Sequence, residues 1–192
     1  MGKSINGSKT EKNLLAAFAG ESQARNRYTY FASIAKKEGL EQISNIFIET
    51  AENEKEHAKI FFKHLEGGDA EITATYPAGS LKDTKSNLEA AALGENMEWT
   101  SLYQDFSKIA RDEGFLDVAR SFEQVAKVEK FNESRYRKLI NNLVDREVFK
   151  KKTSVRWHCI NCGYVSDGAD APRECPACKH PQAFFEVLAE NY

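Results

Sequence analysis

The chain has 192 residues, of which 41% are hydrophobic, with 27 basic and 29 acidic residues and a net charge of -2. This composition is ordinary for a globular protein and excludes a largely disordered chain. Because the charges nearly balance, the surface offers no single-signed patch for nucleic acid or an anionic membrane, and small-molecule chemistry is favoured.

The first residues, Met1 to Asn6, lack the apolar run that a signal peptide requires, and no run of about 18 apolar residues occurs further along the chain. The sequence therefore predicts a cytoplasmic protein with no membrane partner. All four cysteines lie between Cys159 and Cys178. Because cytoplasmic thiols are normally kept reduced, this clustering favours metal binding over disulfides.

Up to about residue 147, apolar residues recur at helical spacing in four long segments, which predicts a mostly α protein built on a four-helix bundle. Ser8 with Glu11, and Ser86 with Glu89, have the spacing of a capping box and predict the starts of helices one and three. Pro77 lies in a predicted long crossover between helices two and three. Glycines mark the predicted helix ends: Gly39, Gly67, Gly68 and Gly114.

Acidic residues interrupt the predicted apolar face of every helix. In the fourth helix, Val125 is followed by Glu129 and Asn132 and then by Tyr136, all in steps of three or four residues, so the two polar residues point into the core. The inward-facing polar residues of the four helices are Glu21, Glu54, His57, Glu95, Glu98, Glu129 and Asn132.

Five buried carboxylates without partners would each cost on the order of several kcal/mol, so cations must lie among them. Two divalent metals would neutralise most of the charge, and oxygen ligands with some imidazole suit iron or manganese. Glu54 and His57 have the Glu-x-x-His spacing that places both side chains on one helix face. Tyr28 and Tyr136 each follow a ligand candidate by seven residues, either to hydrogen-bond a carboxylate or simply as core aromatics.

The two halves of the bundle also resemble each other at an offset of 75 residues, which predicts a duplicated helix pair. At this offset Tyr28 corresponds to Tyr103, so both tyrosines are predicted to support the cofactor site. The same offset places His57 onto Asn132, an amide where the first half has an imidazole.

The last quarter of the chain differs in composition, with three prolines and four cysteines within about 40 residues. We predict a bundle at residues 1–147, a linker at 148–153 and a separate small module at 154–192. The core of this module is too small to fold unaided, so a bound metal is expected to stabilise it.

Two Cys-x-x-Cys pairs, Cys159 with Cys162 and Cys175 with Cys178, supply four thiolates for one tetrahedral ion. Geometry alone accepts either zinc or iron. Since zinc has no redox chemistry, a zinc ion would only stabilise the module, whereas an iron ion would make the module an electron carrier.

These residues resemble the rubrerythrin family across essentially the whole chain, from Ala17–Arg25 through Glu54–Lys59 to the two cysteine pairs. The resemblance implies a ferritin-like four-helix bundle with a non-haem di-iron centre, followed by a rubredoxin-like domain with one mononuclear iron in four cysteine thiolates. It implies an oxidoreductase that reduces hydrogen peroxide to water and protects against oxidative stress. Electrons would come from NAD(P)H through separate reductase proteins or a rubredoxin-type donor, and the chain would form a head-to-tail homodimer.

By the same resemblance, Glu21 is a terminal ligand of one iron and Glu95 of the other, while Glu54 and Glu129 bridge the two metals. Glu98 and His57 alternate on the first iron, with Glu98 bound in the oxidised state and His57 in the reduced state.

The chain departs from the family pattern at Asn132, where the family's second Glu-x-x-His motif places the histidine of the second iron. Two other functions remain open from the residues themselves. One is a ferritin-like protein that oxidises or stores iron, and the other is a non-enzymatic metal-binding protein with zinc in the cysteines.

Overall fold

The computed structural model describes residues 3–191, so the outermost positions of the predicted domain ranges, 1–2 and 192, lie outside it. The bundle elements are α1 (Lys9–Lys37), α2 (Glu41–Phe62), α3 (Thr84–Met97), a π-helical turn (Glu98–Leu102), α4 (Tyr103–Asp112) and α5 (Leu116–Val144). Because α3, the π-helical turn and α4 follow one another without a break, they form the third of the four long helices. The predicted mostly α, ferritin-like bundle is confirmed.

The start of α1 agrees with the capping prediction. The Ser8 side chain caps the helix by accepting a hydrogen bond from the Glu11 backbone N–H at 3.0 Å. The Glu11 carboxylate in turn accepts one from the Gly7 backbone N–H at 2.6 Å. These bonds satisfy amides that have no partner within the helix. At the other end, Gly39 follows α1 with a φ of +74°, as predicted for a glycine at a helix end.

The predicted capping box of the third helix is wrong. The cap is Asp83, whose carboxylate accepts a hydrogen bond from the Ser86 backbone N–H at 2.7 Å, so Ser86 lies inside the first turn. Asp is as good a cap as Ser, and it comes earlier in the chain. Gly67 and Gly68 likewise lie beyond the end of α2, in the crossover, rather than at the helix terminus.

Helix pairing follows chain order, with α1 packed on α2 and the third long helix packed on α5. The crossover between the pairs has no regular secondary structure, and Tyr76 anchors it by donating a hydrogen bond from its hydroxyl to the Ala16 carbonyl at 2.6 Å. Between residues 3 and 191, no helix has the length and apolarity needed to cross a membrane.

Two aromatic clusters form the core of the bundle. One contains Tyr28, Phe47 and Tyr136, and the other contains Phe61 and Phe122. Along α2, Phe47 and Phe61 lie on either side of the predicted metal ligands of that helix. The acidic side chains therefore occupy a layer between two apolar clusters, where water has little access.

The C-terminal module is a three-stranded antiparallel sheet in the order β2-β1-β3, with β1 at Lys150–Cys159, β2 at Val165–Asp170 and β3 at Phe185–Val187. Trp157 is fully buried at its centre, and its indole N–H donates to the Gly168 carbonyl at 3.0 Å. A 3-10 turn at Gln182–Phe184 and β3 pack against α2.

The strand β1 begins inside the segment predicted as a linker, residues 148–153. Lys150 pairs with Asp170 of β2, and the register then shifts between Lys150 and Val155. Of the charged residues of this segment, Lys150 and Lys152 are therefore exposed positions of a strand, and Lys151 is half-buried. Their composition was typical of a linker because an edge extension of a sheet is equally polar.

Candidate metal centres

Four side chains from three helices converge in the polar layer of the bundle. They are Glu21 from α1, Glu54 and His57 from α2 and Glu129 from α5, and their donor atoms lie within 4.8 Å of one another. The three carboxylates are at most 1% exposed and His57 is 6% exposed. Three oxygen donors and one nitrogen donor at this spacing are suited to bind a metal.

His57 connects two helices within this group. Its Nδ1 atom lies 2.8 Å from Glu54 Oε2, three residues earlier on the same helix, and 2.9 Å from Glu129 Oε1 on α5. The first contact follows from helix geometry, since positions i and i+3 share a face. The second depends on how α2 and α5 pack.

Two tyrosines donate hydrogen bonds to two of the buried carboxylates. The Tyr28 hydroxyl of α1 donates to Glu95 Oε1 of α3 at 2.6 Å, and the Tyr103 hydroxyl of α4 donates to Glu21 Oε1 of α1. The two halves of the bundle thus exchange equivalent hydrogen bonds. The Tyr136 hydroxyl, by contrast, makes no hydrogen bond to a carboxylate of the described residues, so that side chain acts as a core aromatic.

Burial dominates the electrostatics of the acidic group. It raises the pKa of Glu21, Glu54 and Glu95 well above the ordinary value, and neighbouring carboxylates raise the pKa of each further. Burial and then Glu129 raise the pKa of Glu98 to about 8. Without a bound cation, burial therefore favours the protonated form of each of these groups.

The carboxylates also leave oxygen atoms without partners. One buried oxygen each of Glu21, Glu54 and Glu95 has no hydrogen-bond donor among the described residues. Unpaired buried acceptors are rare because each costs on the order of 1 to 3 kcal/mol. Metal ions bound to these oxygens would remove that cost, so the donor set fits the predicted di-iron centre.

The metal-free protein should become less stable as the pH rises from about 5 to about 8. The buried carboxyls keep protons in the folded state that the unfolded chain releases above their ordinary pKa of 4.5, and the pKa of Glu98 in the folded state is about 8. Since the unfolded state binds fewer protons in this range, each such group lowers the unfolding free energy by about 1.4 kcal/mol per pH unit. Urea unfolding of chelator-treated protein across this range measures the slope.

Iron replaces the protons on these carboxyls, so the iron-loaded protein should lack most of this pH dependence. Metal-free protein whose stability increased between pH 5 and 8 would contradict the buried-acid description.

Glu98 lies at the start of the π-helical turn and outside the group of four side chains. It lines a cavity of about 210 Å³ between α1, the crossover and the π-helical turn. Arg27, Tyr76 and Tyr103 line the same cavity, and the charge of Arg27 lowers the pKa of Glu98, partly opposing burial. A small molecule in this cavity would meet the Glu98 carboxylate.

The π-helical turn is the feature of the site that the sequence analysis missed. Glu21 and Glu95 occupy equivalent places 74 residues apart, whereas Tyr28 and Tyr103 are 75 residues apart. One residue has therefore been added between Glu95 and Tyr103, and a π-helical turn accommodates one extra residue. The change in offset was a signal available in the sequence.

Asn132 is buried beside the group, with 1% exposure. Its Nδ2 atom donates to Glu129 Oε2 at 3.0 Å, three residues earlier on α5, just as His57 contacts Glu54 on α2. The amide thus occupies the place that the first half gives to imidazole, but it bonds to a carboxylate through its N–H group.

In the small module the four cysteine sulfurs lie within 4.8 Å of one another. The Sγ atoms of Cys159 and Cys178 are 3.8 Å apart, and those of Cys162 and Cys175 are 3.6 Å apart. A tetrahedral ion with metal–sulfur bonds of about 2.3 Å has sulfur–sulfur distances of about 3.8 Å. The geometry therefore fits a single tetrahedral metal.

Each cysteine pair closes a tight turn. The Gly163 N–H donates to the Cys159 carbonyl at 2.8 Å and the Lys179 N–H donates to the Cys175 carbonyl at 3.0 Å. Gly163 and Lys179, the residues that follow the second cysteine of each pair, both have a positive φ. The two turns thus have equivalent conformations, which places the sulfurs in a symmetrical arrangement.

Without metal the four thiols interact directly. A hydrogen bond from the His180 backbone lowers the pKa of Cys178 to about 6. At Cys162 a backbone hydrogen bond from Tyr164 lowers the pKa, but contacts with Cys178 and Cys175 outweigh it and raise the pKa to about 12. The cluster holds its protons unequally, and a bound cation would stabilise all four thiolates together.

Comparison with known proteins agrees with both centres. A sequence model described as Rubrerythrin matches residues 12–140, and one described as Rubrerythrin, rubredoxin-like domain, matches residues 157–186. These two matches correspond to the di-iron bundle and the four-cysteine iron module, so both predicted cofactors are confirmed.

Relatives of known sequence and structure cover nearly the whole chain. The rubrerythrin of Porphyromonas gingivalis is 59% identical over 192 residues, covering 100% of this chain and 96% of that protein. The rubrerythrin of Nitratidesulfovibrio vulgaris is 54% identical over 190 residues, covering 99% and 100%. Nigerythrin in its fully reduced, all-ferrous state superposes with a TM-score of 0.64 at 29% identity, covering 97% and 92%. The chain therefore belongs to the rubrerythrin family.

Proposed function

We propose that this oxidoreductase is a peroxidase that reduces hydrogen peroxide to water, with electrons relayed through the four-cysteine iron. One observation carries the proposal: a single chain combines a buried carboxylate metal site with a four-thiolate site, and the thiolate module packs against α2, the helix of Glu54 and His57. An iron-storage protein would need the first site but not the second.

In the proposed reaction, hydrogen peroxide takes up two electrons and two protons and yields two molecules of water. When bound, the di-iron centre supplies the two electrons that break the oxygen–oxygen bond. We assign Glu21 and Glu95 as terminal ligands and Glu54 and Glu129 as bridging ligands, as the resemblance implies. We assign Glu98 and His57 as alternative ligands of the first iron.

The protein's own contribution is orientation and exclusion of water. Tyr28 and Tyr103 fix Glu95 and Glu21 through their hydroxyl hydrogen bonds. We propose that peroxide approaches through the cavity beside Glu98, whose volume of about 210 Å³ exceeds that of several water molecules. The crossover closes this cavity through the contact of Tyr76 with α1.

Electrons are proposed to reach the module from NAD(P)H through a separate reductase or a rubredoxin-type donor. We further propose a head-to-tail homodimer in which the cysteine module of one chain faces the di-iron site of the other, and a cytoplasmic role in oxidative-stress protection. Size-exclusion chromatography with light scattering tests the dimer.

Stopped-flow mixing tests the proposed reaction. Iron-loaded protein, reduced under anaerobic conditions, is mixed with hydrogen peroxide or with dioxygen, and di-iron oxidation is followed by absorbance. We expect oxidation far faster with peroxide, with metal-free protein as the blank. Equal or faster oxidation by dioxygen would overturn the peroxidase proposal and favour iron oxidation for storage.

Replacing Asn132 with histidine should raise both the iron bound per chain and the peroxide rate. An amide is a weaker donor toward ferrous iron than imidazole, and the Asn132 amide N–H already bonds to Glu129. Loss of such support commonly costs about 10 to 100-fold in metal affinity or activity, so we expect the second iron of the natural chain to be held less tightly. Iron titration with a competing chelator measures both sites.

Asn132→Ala is the matched control, because it removes the amide without supplying imidazole. It should not increase iron binding. If Asn132→His leaves both the iron content and the rate unchanged, Asn132 is an adequate ligand or another group takes its place.

A further inference from the structure

Glu133 is a buried carboxylate of α5 that has no place in the proposed chemistry. It is 7% exposed, and both of its oxygens accept hydrogen bonds. The Trp99 indole N–H donates to Oε2 at 2.5 Å, and Asn96 Nδ2 lies 3.0 Å from Oε2 and 3.2 Å from Oε1. Arg137 Nε donates to Oε1 at 2.6 Å. The Glu133 carboxylate thus accepts hydrogen bonds from three residues.

The positions of these donors connect Glu133 to the metal site. Asn96 directly follows Glu95, and Trp99 directly follows Glu98. Residues three apart share a helix face, so Asn96 and Trp99 lie on one face while Glu95 and Glu98 lie on the adjacent face. Contacts that hold Asn96 and Trp99 in place therefore also set how far Glu95 and Glu98 rotate toward the metals.

This stretch of helix needs an external restraint. The π-helical turn begins at Glu98, where the regular hydrogen bonding of α3 gives way to wider spacing. No residue of the π-helical turn is fully buried, and Leu102 at its C-terminal end is partly buried against a core cluster. Core packing therefore restrains the end of the turn more than its start. From α5, Glu133 accepts the hydrogen bond of Trp99 in this turn, and Lys130 of the same helix lies 5.0 Å above the Trp99 ring.

We propose that Glu133 is a positioning residue of the di-iron site, which holds Asn96 and Trp99 and thereby sets the rotation of the segment that carries Glu95 and Glu98. The inference rests on the proposed assignment of these two glutamates as ligands. It does not depend on peroxide as the oxidant, because it concerns where the ligands lie.

Charge makes the carboxylate suited to this role. Burial alone would raise the pKa of Glu133, but the hydrogen bonds from Trp99, Asn96 and Arg137 outweigh burial and hold the pKa below its usual range. The ionised group offers only acceptors, which all three donors require. In Glu133→Gln the amide would present N–H groups to at least one of these donors, at nearly the same side-chain size.

The chain offers a matched control in Glu123, ten residues earlier on α5. Its carboxylate accepts hydrogen bonds from Ser107 Oγ at 2.8 Å and from Arg111 Nη2 at 2.5 Å, both on α4. It therefore also ties the third long helix to α5 through a charged network. Neither donor adjoins a proposed ligand, so Glu123→Gln reports the general cost of weakening such a network.

The test compares Glu133→Gln with Glu123→Gln in the full chain. In metal-free protein, hydrogen exchange at Glu98–Leu102 should be faster and the Trp99 fluorescence should shift only in Glu133→Gln, with Trp157 as a constant background. In iron-loaded protein, Glu133→Gln should weaken iron binding about tenfold and shift the di-ferric absorption spectrum.

The proposal is overturned if both variants change exchange and spectrum equally, or if Glu133→Gln speeds exchange but leaves the iron affinity and the spectrum as in the natural chain. Should Glu133→Gln fail to fold, Trp99→Phe removes one donor while keeping an aromatic side chain, and hydrogen exchange, iron affinity and the di-ferric spectrum decide. Because none of these readouts uses peroxide, the outcome of this test does not depend on the outcome of a peroxidase assay.

Discussion

Replacing Glu54 with alanine is expected to remove most of the iron from the bundle and to abolish peroxide reduction with it. Glu54 is 1% exposed and belongs to the group of four side chains whose donor atoms lie within 4.8 Å. Losing even an outer hydrogen-bond partner costs a metal site about 10 to 100-fold, and a carboxylate proposed to contact both metals should cost at least as much. Elemental analysis of desalted protein and stopped-flow oxidation measure the two losses.

The control for this prediction is Glu52→Ala, two residues away on the same helix. The Glu52 side chain is 51% exposed and pairs with Arg25 at 3.2 Å and Lys55 at 2.8 Å. Such a surface change should alter stability by less than about 0.5 kcal/mol and leave the iron content intact. If Glu54→Ala also retained its full iron content, Glu54 would not be a ligand.

The second large effect is expected from Cys162→Ser, which leaves three thiolates where a tetrahedral site requires four. The variant should lose the visible absorption of ferric tetrathiolate and stop reductase-driven peroxide reduction. The bundle should stay folded, because its helices pack around their own two aromatic clusters. Visible spectra, far-ultraviolet circular dichroism and a reductase-coupled assay measure these outcomes.

A chemically reduced Cys162→Ser protein should still react once with peroxide, since its carboxylate site is unchanged. Asn161→Ser, in the same turn, keeps all four sulfurs and serves as the control. Full reductase-coupled turnover by Cys162→Ser would remove the electron-relay role from the module.

Much of the site followed from local periodicity. Glu21, Glu54 and Glu129 interrupt apolar faces, and the structure buries all three to 1% exposure or less. The metal site of the cysteine pairs could also be predicted from the sequence, because a Cys-x-x-Cys turn brings two sulfurs together independently of the surrounding residues. In both cases the decisive contacts lie within one or two helical turns or one tight loop.

Two sequence-based predictions were wrong at positions where neighbouring signals compete. Ser86 and Asp83 are both good helix caps, and the structure shows that Asp83 takes the role. The segment at 148–153 was polar enough for a linker, yet Lys150 pairs with Asp170 across the sheet. The polarity of a segment indicates how exposed it is, and an exposed strand can be as polar as an exposed loop.

The sequence by itself therefore determined the helical bundle, the inward direction of its acidic residues, the cysteine module and the amide at Asn132. Only the tertiary structure decided that His57 of α2 reaches Glu129 of α5, and that Glu133 of α5 accepts a hydrogen bond from Trp99, next to Glu98. These contacts depend on the rotation and spacing of whole helices, which result from packing of the entire core rather than from any local pattern.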